Sequence, residues 1–258
     1  MTMCVKDEGA YILEWLEYYL LQGVEHFYIY NNNGTDNTRE LLDSYISEGL
    51  VTWIEYPGES KQTEIYNHAI THFYHEARWM GFVDVDEFIV PKHHKSLVDF
   101  MREYEAFSQV VVRWVIYGSS GYQEKEPGLV IERFRRRQDT CSFAAKSIAN
   151  PRAVLNAGTH YSEVMGDSVD EKKRLIAYEE NEPASVDVIC VNHYAVKSRS
   201  EFLFKKKRGD VIYGDVINDD YYIERDCNDV EDDAEYMGKY AREIRVKLSE
   251  KGLLRYAV

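Results

Sequence analysis

Cysteine is scarce in this 258-residue chain: its four copies lie far apart and form no Cys-x-x-Cys pair. A disulfide framework and a cysteine-based zinc site are therefore both unexpected. No apolar run approaches the roughly 20 residues that a membrane-spanning helix needs. Charges at Lys6-Asp7-Glu8 come too early for a signal peptide. We therefore expect a cytoplasmic protein with reduced thiols and no transmembrane segment, either soluble or peripheral at the inner face of the membrane.

Positive charge is also limited, since 31 Lys and Arg residues face 45 Asp and Glu residues and the net charge is −14. A general nucleic-acid-binding protein relies on clustered positive charge, so no nucleic-acid partner is expected. Two basic clusters remain, at residues 133–137 and 205–208. Either could hold an anion such as a diphosphate, and the first could also meet an acidic acceptor or lipid phosphates. Solvated surface charge is the favoured explanation for either cluster taken alone.

The first hundred residues alternate between strand and helix patterns. Apolar strands are predicted at residues 3–6, 26–30, 50–56 and 79–85, with amphipathic helices between them at residues 10–22, 35–46 and 63–77. This order predicts an α/β fold with a Rossmann-like, mostly parallel sheet flanked by helices. The later pattern is more irregular, with strands predicted near 110–117 and 128–137 and a helix near 234–251. We expect a single domain over residues 1–258.

Three polar segments follow predicted strands: Lys6-Asp7-Glu8, Asn31-Asn32-Asn33 and Asp84-Val85-Asp86. Ligands of parallel sheets bind at the carboxyl ends of the strands, so these segments should converge on one crevice. The two carboxylates at positions 84 and 86 point to the same side and suit Mg²⁺ or Mn²⁺. Such an ion, bridging a diphosphate, would neutralise the charge on a leaving nucleotide. A helix cap or a surface turn is the alternative explanation.

These segments, in this order, resemble glycosyltransferase family 92 and the related family 2-like glycosyltransferases. The resemblance rests on Lys6-Asp7-Glu8, Asp84-Val85-Asp86-Glu87-Phe88, Asn192-His193-Tyr194-Ala195-Val196-Lys197-Ser198 and the segments 14–18, 23–32, 35–38, 117–121 and 146–148. It covers most of residues 3–209. It implies a GT-A fold, dependence on Mn²⁺ (or Mg²⁺), and inverting transfer of a sugar from a nucleotide-sugar donor, with UDP-galactose as the donor it suggests. The nucleotide-sugar-binding half would be 1–91 and the acceptor-side half 92–258.

The resemblance also implies roles for particular residues. Asp84 and Asp86 would hold the metal ion, with His193 as a third ligand and His160 as the competing candidate. The implied contacts to the donor are Asp7, Asn32, Gln62, Asn67, Asp84, Lys146 and Lys205. Many relatives have Asn where this chain has Asp7. Because an ionised Asp cannot donate a hydrogen bond, the nucleoside contact at this position stays open.

An inverting transfer needs a side chain that removes the proton from the acceptor hydroxyl. Glu163, Asp167 and Glu132 are the candidates, and the sequence does not choose among them. Glu87 follows the metal pair too closely to be a good candidate. The acceptor is expected to be a glycan or a glycolipid.

Two other functions fit part of this pattern. A metal-dependent phosphohydrolase of the haloacid dehalogenase kind also carries an Asp-x-Asp after a strand, but after the first strand rather than the fourth. A non-catalytic sugar- or nucleotide-binding module would share the donor site and lack the general base. We rank the glycosyltransferase first.

Overall fold

The computed structural model describes residues 1–176, 184–209, 217–232 and 234–258. Its strands are β1 (Thr2–Val5), β2 (Phe27–Asn31), β3 (Val51–Glu55), β4 (Met80–Phe82), β5 (Glu87–Pro91), β6 (Gln109–Ile116), β7 (Arg136–Arg137), β8 (Ala145–Ala149), β9 (Val154–Asn156), β10 (Glu163–Val164), β11 (Ser168–Val169), β12 (Ile189–His193) and β13 (Val230–Glu231). Its helices are α1 (Ile12–Leu21), α2 (Thr38–Leu41), α3 (Asp43–Ser47), α4 (Gln62–Phe73), α5 (Leu97–Met101), α6 (Val130–Arg133), α7 (Arg199–Arg208), α8 (Asp219–Arg225), α9 (Ala234–Glu250) and α10 (Leu254–Ala257), with a 3-10 turn at Arg102–Tyr104. Among these residues, no helix combines the length and the apolarity that crossing a membrane requires.

Nine of the described strands form one sheet, in the order β3-β2-β1-β4-β8-β6-β12-β5 with β11 beside β6. The first four strands of that order run parallel. Strand β8 is antiparallel to both β4 and β6, and β5 is antiparallel to β12. The predicted fold class, an α/β protein with a mainly parallel sheet flanked by helices, is confirmed. The two strands that run against the others are β8, from the less regular second half of the chain, and β5, which follows the Asp84-Val85-Asp86 segment.

The predicted strand at residues 128–137 is wrong. This segment begins with helix α6 and continues into the two-residue strand β7. The reason is a contact that is distant in sequence: the buried carboxylate of Glu14, in α1, accepts hydrogen bonds from the backbone amides of Val130 at 2.7 Å and Ile131 at 3.0 Å. These amides open α6 and have no partner within the helix, so the carboxylate stabilises a helical start.

Aromatic residues of α1 pack in the core and hold the segment that carries Asp84. The rings of Tyr18 and Phe88 meet edge to face at 5.1 Å. The hydroxyl group of Tyr18 donates a hydrogen bond to the carbonyl oxygen of Ile89 at 2.8 Å. The indole of Trp15 donates another to the carbonyl oxygen of Asp84 at 3.0 Å. Because each buried ring also satisfies a backbone group, α1 fixes the position of the loop between β4 and β5.

Helix α7 begins with a capping box. The hydroxyl group of Ser198 accepts a hydrogen bond from the amide of Glu201 at 3.3 Å, and the Glu201 carboxylate accepts one from the amide of Ser198 at 3.2 Å. The same carboxylate forms a buried, two-pronged ion pair with Arg133, at 2.8 and 2.9 Å. Both contacts fix the start of α7.

Replacing Ser198 with alanine is expected to lower the free energy of unfolding by ~1 kcal/mol, because it removes an N-cap hydrogen bond. Chemical denaturation at neutral pH measures this difference. Ser47→Ala is the matched control, since Ser47 is exposed and lies at the end of a helix. Equal losses of stability in the two variants would contradict the assigned role of the cap.

Candidate active site

A cleft of about 230 Å³ opens at the end of the sheet where β1 and β4 finish. The residues that line it come from many elements: Cys4, Lys6, Glu8, Gln62, Asp84, Val85, Asp86, Trp114, Ala144, Lys146, Thr159, His160, His193, Lys205, Arg208, Gly209, Tyr221 and Arg225. The structure thus brings together the first and third polar segments of the sequence. The second segment, Asn31-Asn32-Asn33, does not line the cleft.

Asp84 is fully engaged by the protein. One carboxylate oxygen accepts hydrogen bonds from the Gln62 amide at 2.7 Å and from the Tyr66 hydroxyl at 3.4 Å. The other oxygen accepts from the ammonium group of Lys146 at 2.7 Å. Lys146 is buried and also lies 3.3 Å from Glu87, which is fully buried. Asp84, which is partly exposed to the cleft, therefore joins a charge network with the buried Lys146 and Glu87, and both of its oxygens have partners.

Asp86 has a different environment. One of its carboxylate oxygens accepts a hydrogen bond from Lys205 at 2.8 Å and lies 3.9 Å from the ammonium group of Lys197. Burial by itself raises the pKa of Asp86, but the two lysines outweigh burial and hold that pKa well below its usual range. The second oxygen lies 3.6 Å from Nε2 of His193. Asp86 is therefore an ionised carboxylate with one oxygen facing an imidazole.

His193 is neutral at physiological pH. It ends β12, and its ring packs against the indole of Trp114 with centroids 4.3 Å apart. Burial lowers its pKa to about 3. A neutral imidazole beside an ionised carboxylate is a donor pair that suits a transition-metal ion.

The cleft carries another carboxylate–cation pair. Arg208, the last residue of α7, lies 2.5 Å from the carboxylate of Glu8. Its guanidinium group also donates hydrogen bonds to the carbonyl oxygens of Lys6, at 2.5 Å, and Asp7, at 2.9 Å. Arg208 thereby ties the end of α7 to the loop that follows β1.

Several polar atoms of the cleft are buried without a hydrogen bond within the described part of the chain. They are Glu8 Oε2, Gln62 Oε1, Trp114 Nε1, His193 Nδ1 and Arg208 Nε. Buried polar groups in folded proteins nearly always have partners, so such a concentration at one place marks a surface shaped for a polar ligand.

Asp7 and Asn32, two of the predicted donor contacts, shape loops beside the cleft and do not line it. Asp7 has a positive φ of 54°, and its carboxylate accepts two backbone hydrogen bonds from residues 35–36, at 2.6 and 3.0 Å. The side chain of Asn32 donates to the carbonyl oxygens of Tyr56 and Gly58, at 2.8 and 2.9 Å. The structure shows loop-shaping roles for both residues.

His160 lines the cleft on the side of Trp114, whose ring centroid is 5.3 Å away. Its Nδ1 lies 3.1 Å from the carbonyl oxygen of Ala145, which assigns the proton to Nδ1 and leaves Nε2 as the hydrogen-bond acceptor. Asn67, another residue predicted to contact the sugar donor, does not line the cleft. It holds the loop that carries His160, through two hydrogen bonds to the backbone of Ala157. The loop thus presents a neutral, proton-accepting imidazole.

The three candidates for the general base lie elsewhere. Glu132 pairs with Arg245 at 2.6 Å, and Glu163 is exposed on the short strand β10. Asp167 lies in the loop before β11 and, like the other two, does not line the cleft. The prediction that one of them removes the acceptor proton is not supported by this arrangement. The residues adjacent to them in sequence do not indicate where these three side chains lie, because their positions are set by contacts with distant segments.

The basic cluster at residues 133–137 is occupied by the chain's own acidic residues. Arg133 pairs with Glu201, and Arg137 pairs with Asp232 at 3.1 Å. None of the cluster lines the cleft. These ion pairs do not support the expectation that the cluster meets an acidic acceptor or lipid phosphates.

The sequence assigned no individual role to Glu8, Trp114, Lys197 or Arg208. Glu8, Trp114 and Arg208 line the cleft, and Lys197 lies beside it, 3.9 Å from Asp86. Lys197 lies inside a segment that carries the family resemblance, and Arg208 belongs to the basic cluster at 205–208. Both could have been singled out on that basis. The sequence does not indicate that Trp114 lines the cleft, because its position in an apolar strand predicts a core residue.

Within the described part of the chain, no three His, Cys, Asp or Glu side chains form a group that could hold a metal ion by themselves. Asp86 and His193 are the pair that fits Mn²⁺ or Mg²⁺, since one is an ionised carboxylate and the other a neutral imidazole. Such ions commonly complete their shells with waters and phosphate oxygens. Asp84 fits less well as a ligand, because Gln62 and Lys146 already engage both of its oxygens.

The sequence model of glycosyltransferase family 92 matches residues 1–213. The chain therefore belongs to glycosyltransferase family 92, and this prediction is confirmed. A family 92 protein of Ricinus communis is 32% identical over 208 residues, which are 73% of this chain and 33% of that protein. A family 92 protein of Oryza sativa subsp. japonica is 30% identical over 165 residues, 59% of this chain and 27% of that protein. The chain spans about a third or less of the length of these relatives.

Among solved structures, residues 1–349 of Staphylococcus aureus TarS are similar to this chain, with a TM-score of 0.41 and 15% identity. The match covers 59% of this chain and 46% of that one. HddC from Yersinia pseudotuberculosis matches with a TM-score of 0.35 and 12% identity, over 61% of this chain and 74% of that one.

Proposed function

We propose that this protein transfers a sugar from a UDP-sugar to a hydroxyl group of a glycan or glycolipid, with inversion and with the help of Mn²⁺ or Mg²⁺. One observation carries the proposal: at the ends of β1 and β4, the ionised Asp86 faces the neutral His193 and is surrounded by buried cations. A carboxylate and an imidazole suit a divalent ion, and lysine and arginine suit a diphosphate. Membership of family 92 supports this activity, and galactose is the sugar we propose.

The donor would lie with its diphosphate against Lys205 and Arg208, two cations of α7 that line the cleft. Asp86 and His193 would hold the metal ion. When bound, this ion would supply positive charge to the leaving diphosphate. The guanidinium group of Arg208 is held by Glu8 and two carbonyl groups, so it is already oriented for a phosphate.

His160 is the residue that we propose as the general base. Among the cleft carboxylates, Asp86 is held ionised by Lys205 and Lys197, which keep its pKa well below its usual range and make it a weak base. Glu8 and Asp84 are already engaged by Arg208 and Lys146. Burial and the charge of Lys146 lower the pKa of His160, so its ring is neutral and can accept a proton.

The acceptor oxygen forms a bond to the anomeric carbon of the sugar, and its proton passes to Nε2 of His160. The bond between that carbon and the phosphate oxygen breaks, and its electron pair leaves with UDP. The proton on His160 then returns to water.

The phosphohydrolase alternative loses its support. The chain belongs to family 92, and the carboxylate that follows the first strand, Asp7, accepts backbone hydrogen bonds and does not line the cleft. A non-catalytic binding module remains distinguishable by experiment, since it would bind UDP and leave a UDP-sugar intact. A cytoplasmic location, with peripheral association at the inner membrane face for a lipid-linked acceptor, is part of the same proposal.

The donor site is tested by thermal unfolding with UDP and with GDP, each with and without Mn²⁺. We expect UDP with Mn²⁺ to stabilise the protein most, by ~2.7 kcal/mol at a concentration 100 times its Kd, because a ligand of the native state shifts unfolding by mass action. In Asp86→Asn the contribution of Mn²⁺ should disappear, while weak stabilisation by UDP alone persists because the cleft cations remain.

Asp43→Asn is the control, because Asp43 is exposed and pairs with Arg39 on α2. It should respond to UDP and Mn²⁺ as the unmodified protein does. The donor site would be refuted by the absence of any nucleotide effect. An Mn²⁺ effect of undiminished size in Asp86→Asn would refute the assigned metal ligand.

A further inference from the structure

Lys205 is hydrogen-bonded to Asp86, the carboxylate that would bind the proposed metal ion. Its ammonium group donates hydrogen bonds to Asp86 at 2.8 Å and to the carbonyl oxygen of Ala195 at 3.2 Å. The Lys205 side chain is mostly buried. It extends from α7, whose two ends are fixed by the cap at Ser198 and by the pair of Arg208 with Glu8. Its contact with Asp86 is therefore a built feature of the cleft.

The carboxylates of the cleft already have cationic partners without a metal ion. Glu8 pairs with Arg208, Asp84 with Lys146 and Asp86 with Lys205. The remaining acid, Glu87, shares Lys146, while Lys197 adds a further buried ammonium group 3.9 Å from Asp86. A divalent cation entering alone would meet these ammonium groups at short range, where like charges repel by several kcal/mol even at an effective dielectric constant of about 20.

A nucleoside diphosphate changes this balance. Its negative charge can form an ion pair with the ammonium group of Lys205 in place of Asp86. At the same time, its phosphate oxygens can bind the metal ion. A lysine suits such an exchange, because its ammonium group is a compact charge on a flexible stem with rotatable donors. Asp86 then becomes available to the metal as its lysine turns to the phosphate.

We propose that Lys205 is a built-in counter-ion of Asp86 that excludes the divalent cation until a nucleoside diphosphate arrives and takes over the lysine. This inference rests on the proposed function of the same cleft. Lys205 is thus a positioning residue that sets the order of binding. Because coupling between two ligands is reciprocal, the diphosphate must raise the affinity for Mn²⁺ by the same factor as Mn²⁺ raises the affinity for the diphosphate.

The test measures free Mn²⁺ by electron paramagnetic resonance during titration of the protein, with and without UDP. In the unmodified protein, Mn²⁺ should bind weakly alone and much more tightly with UDP. In Lys205→Met, which keeps an apolar stem and removes the charge, Mn²⁺ alone should bind at least about tenfold more tightly, because a competing charge has left Asp86. The enhancement by UDP should shrink in this variant.

Two further variants make the result specific. Lys205→Arg keeps the positive charge and should bind Mn²⁺ alone as weakly as the unmodified protein. Lys206→Met is the matched control on the same helix, because Lys206 pairs with Asp219 at the surface and does not line the cleft. Structural damage would lower the affinity for Mn²⁺, so a gain in affinity confined to Lys205→Met is a result that misfolding cannot produce. If Lys205→Met does not fold, Lys205→Gln is used in its place. It also removes the charge, and Lys197 still provides a cation near Asp86.

The proposal is overturned if Lys205→Met binds Mn²⁺ alone no more tightly than the unmodified protein. It is also overturned if the unmodified protein binds Mn²⁺ equally well with and without UDP. Failure of the proposed function has a different signature: UDP would then bind to none of the variants, whatever happens to the affinity for Mn²⁺ alone.

Discussion

His160→Asn is expected to slow sugar transfer by about 10²- to 10⁴-fold, the usual contribution of a general base, while the affinity for UDP stays unchanged. The imidazole contacts Trp114 and the carbonyl oxygen of Ala145, whereas the proposed diphosphate contacts are Lys205 and Arg208, so its loss leaves those two residues in place. Asparagine retains a donor near the position of Nδ1 and can keep the hydrogen bond to the carbonyl oxygen of Ala145. The loop should therefore stay in place.

The rate is measured as UDP released from UDP-galactose, UDP-glucose and UDP-N-acetylglucosamine in the presence of Mn²⁺, with water or p-nitrophenyl glycosides as acceptors. His75→Asn is the control, because His75 is exposed at the end of α4. An unchanged rate in His160→Asn would contradict the assignment of the base, and so would a loss of rate that merely follows a loss of UDP binding. If UDP binds but no UDP-sugar is consumed by the unmodified protein, the binding-module alternative is favoured.

Lys146→Met should lower the free energy of unfolding by ~3–5 kcal/mol, the usual cost of removing one partner from a buried ion pair. The ammonium group lies 2.7 Å from Asp84 and 3.3 Å from Glu87, and no solvent reaches Glu87 to replace it. Burial already raises the pKa of Glu87 well above its usual range, and Lys146 is the cation that opposes this shift. Removing this cation should raise the pKa of Glu87 further.

Urea denaturation measures this loss, with Lys172→Met as the matched comparison. Lys172 also forms a short ion pair, 2.6 Å from Asp187, but both side chains are largely exposed. Exposed pairs contribute between ~0 and 1 kcal/mol, so Lys172→Met should cost little. Similar costs for the two substitutions would show that the buried network at Asp84 contributes no more than a surface pair.

The two carboxylates of the Asp84-Val85-Asp86 motif have different environments in the cleft, although the sequence does not distinguish them. Asp84 is bound by Gln62, Tyr66 and Lys146, and these contacts fix the loop that carries Asp86. Asp86 keeps one oxygen towards His193. The first carboxylate thus serves mainly to position the second, which is why we expect Asp86→Asn to act on metal binding and Lys146→Met to act on stability.

Local sequence patterns determined the parallel βα units of the first half, because apolar periodicity and turn residues act over a few neighbouring positions. Short motifs also indicated the family, the Asp84-Val85-Asp86 turn and several residues that do line the cleft. Gln62, Lys146, His193 and Lys205 are among these. Lys146 and His193 lie in segments whose order along the chain carries the family resemblance, and Gln62 and Lys205 lie within the stretch that the resemblance covers.

Only the tertiary structure decided what each of these residues contacts. The partners of Asp84 and Asp86 are lysines 62 and 119 positions further along the chain, on β8 and α7. A carboxylate of α1 turned a predicted strand into helix α6 from 116 positions away. The base candidate His160 entered the cleft because a loop is held by Asn67, 90 positions from its partner Ala157. Charge pairing and buried hydrogen bonds depend on distance in space, and the sequence orders residues only along the chain.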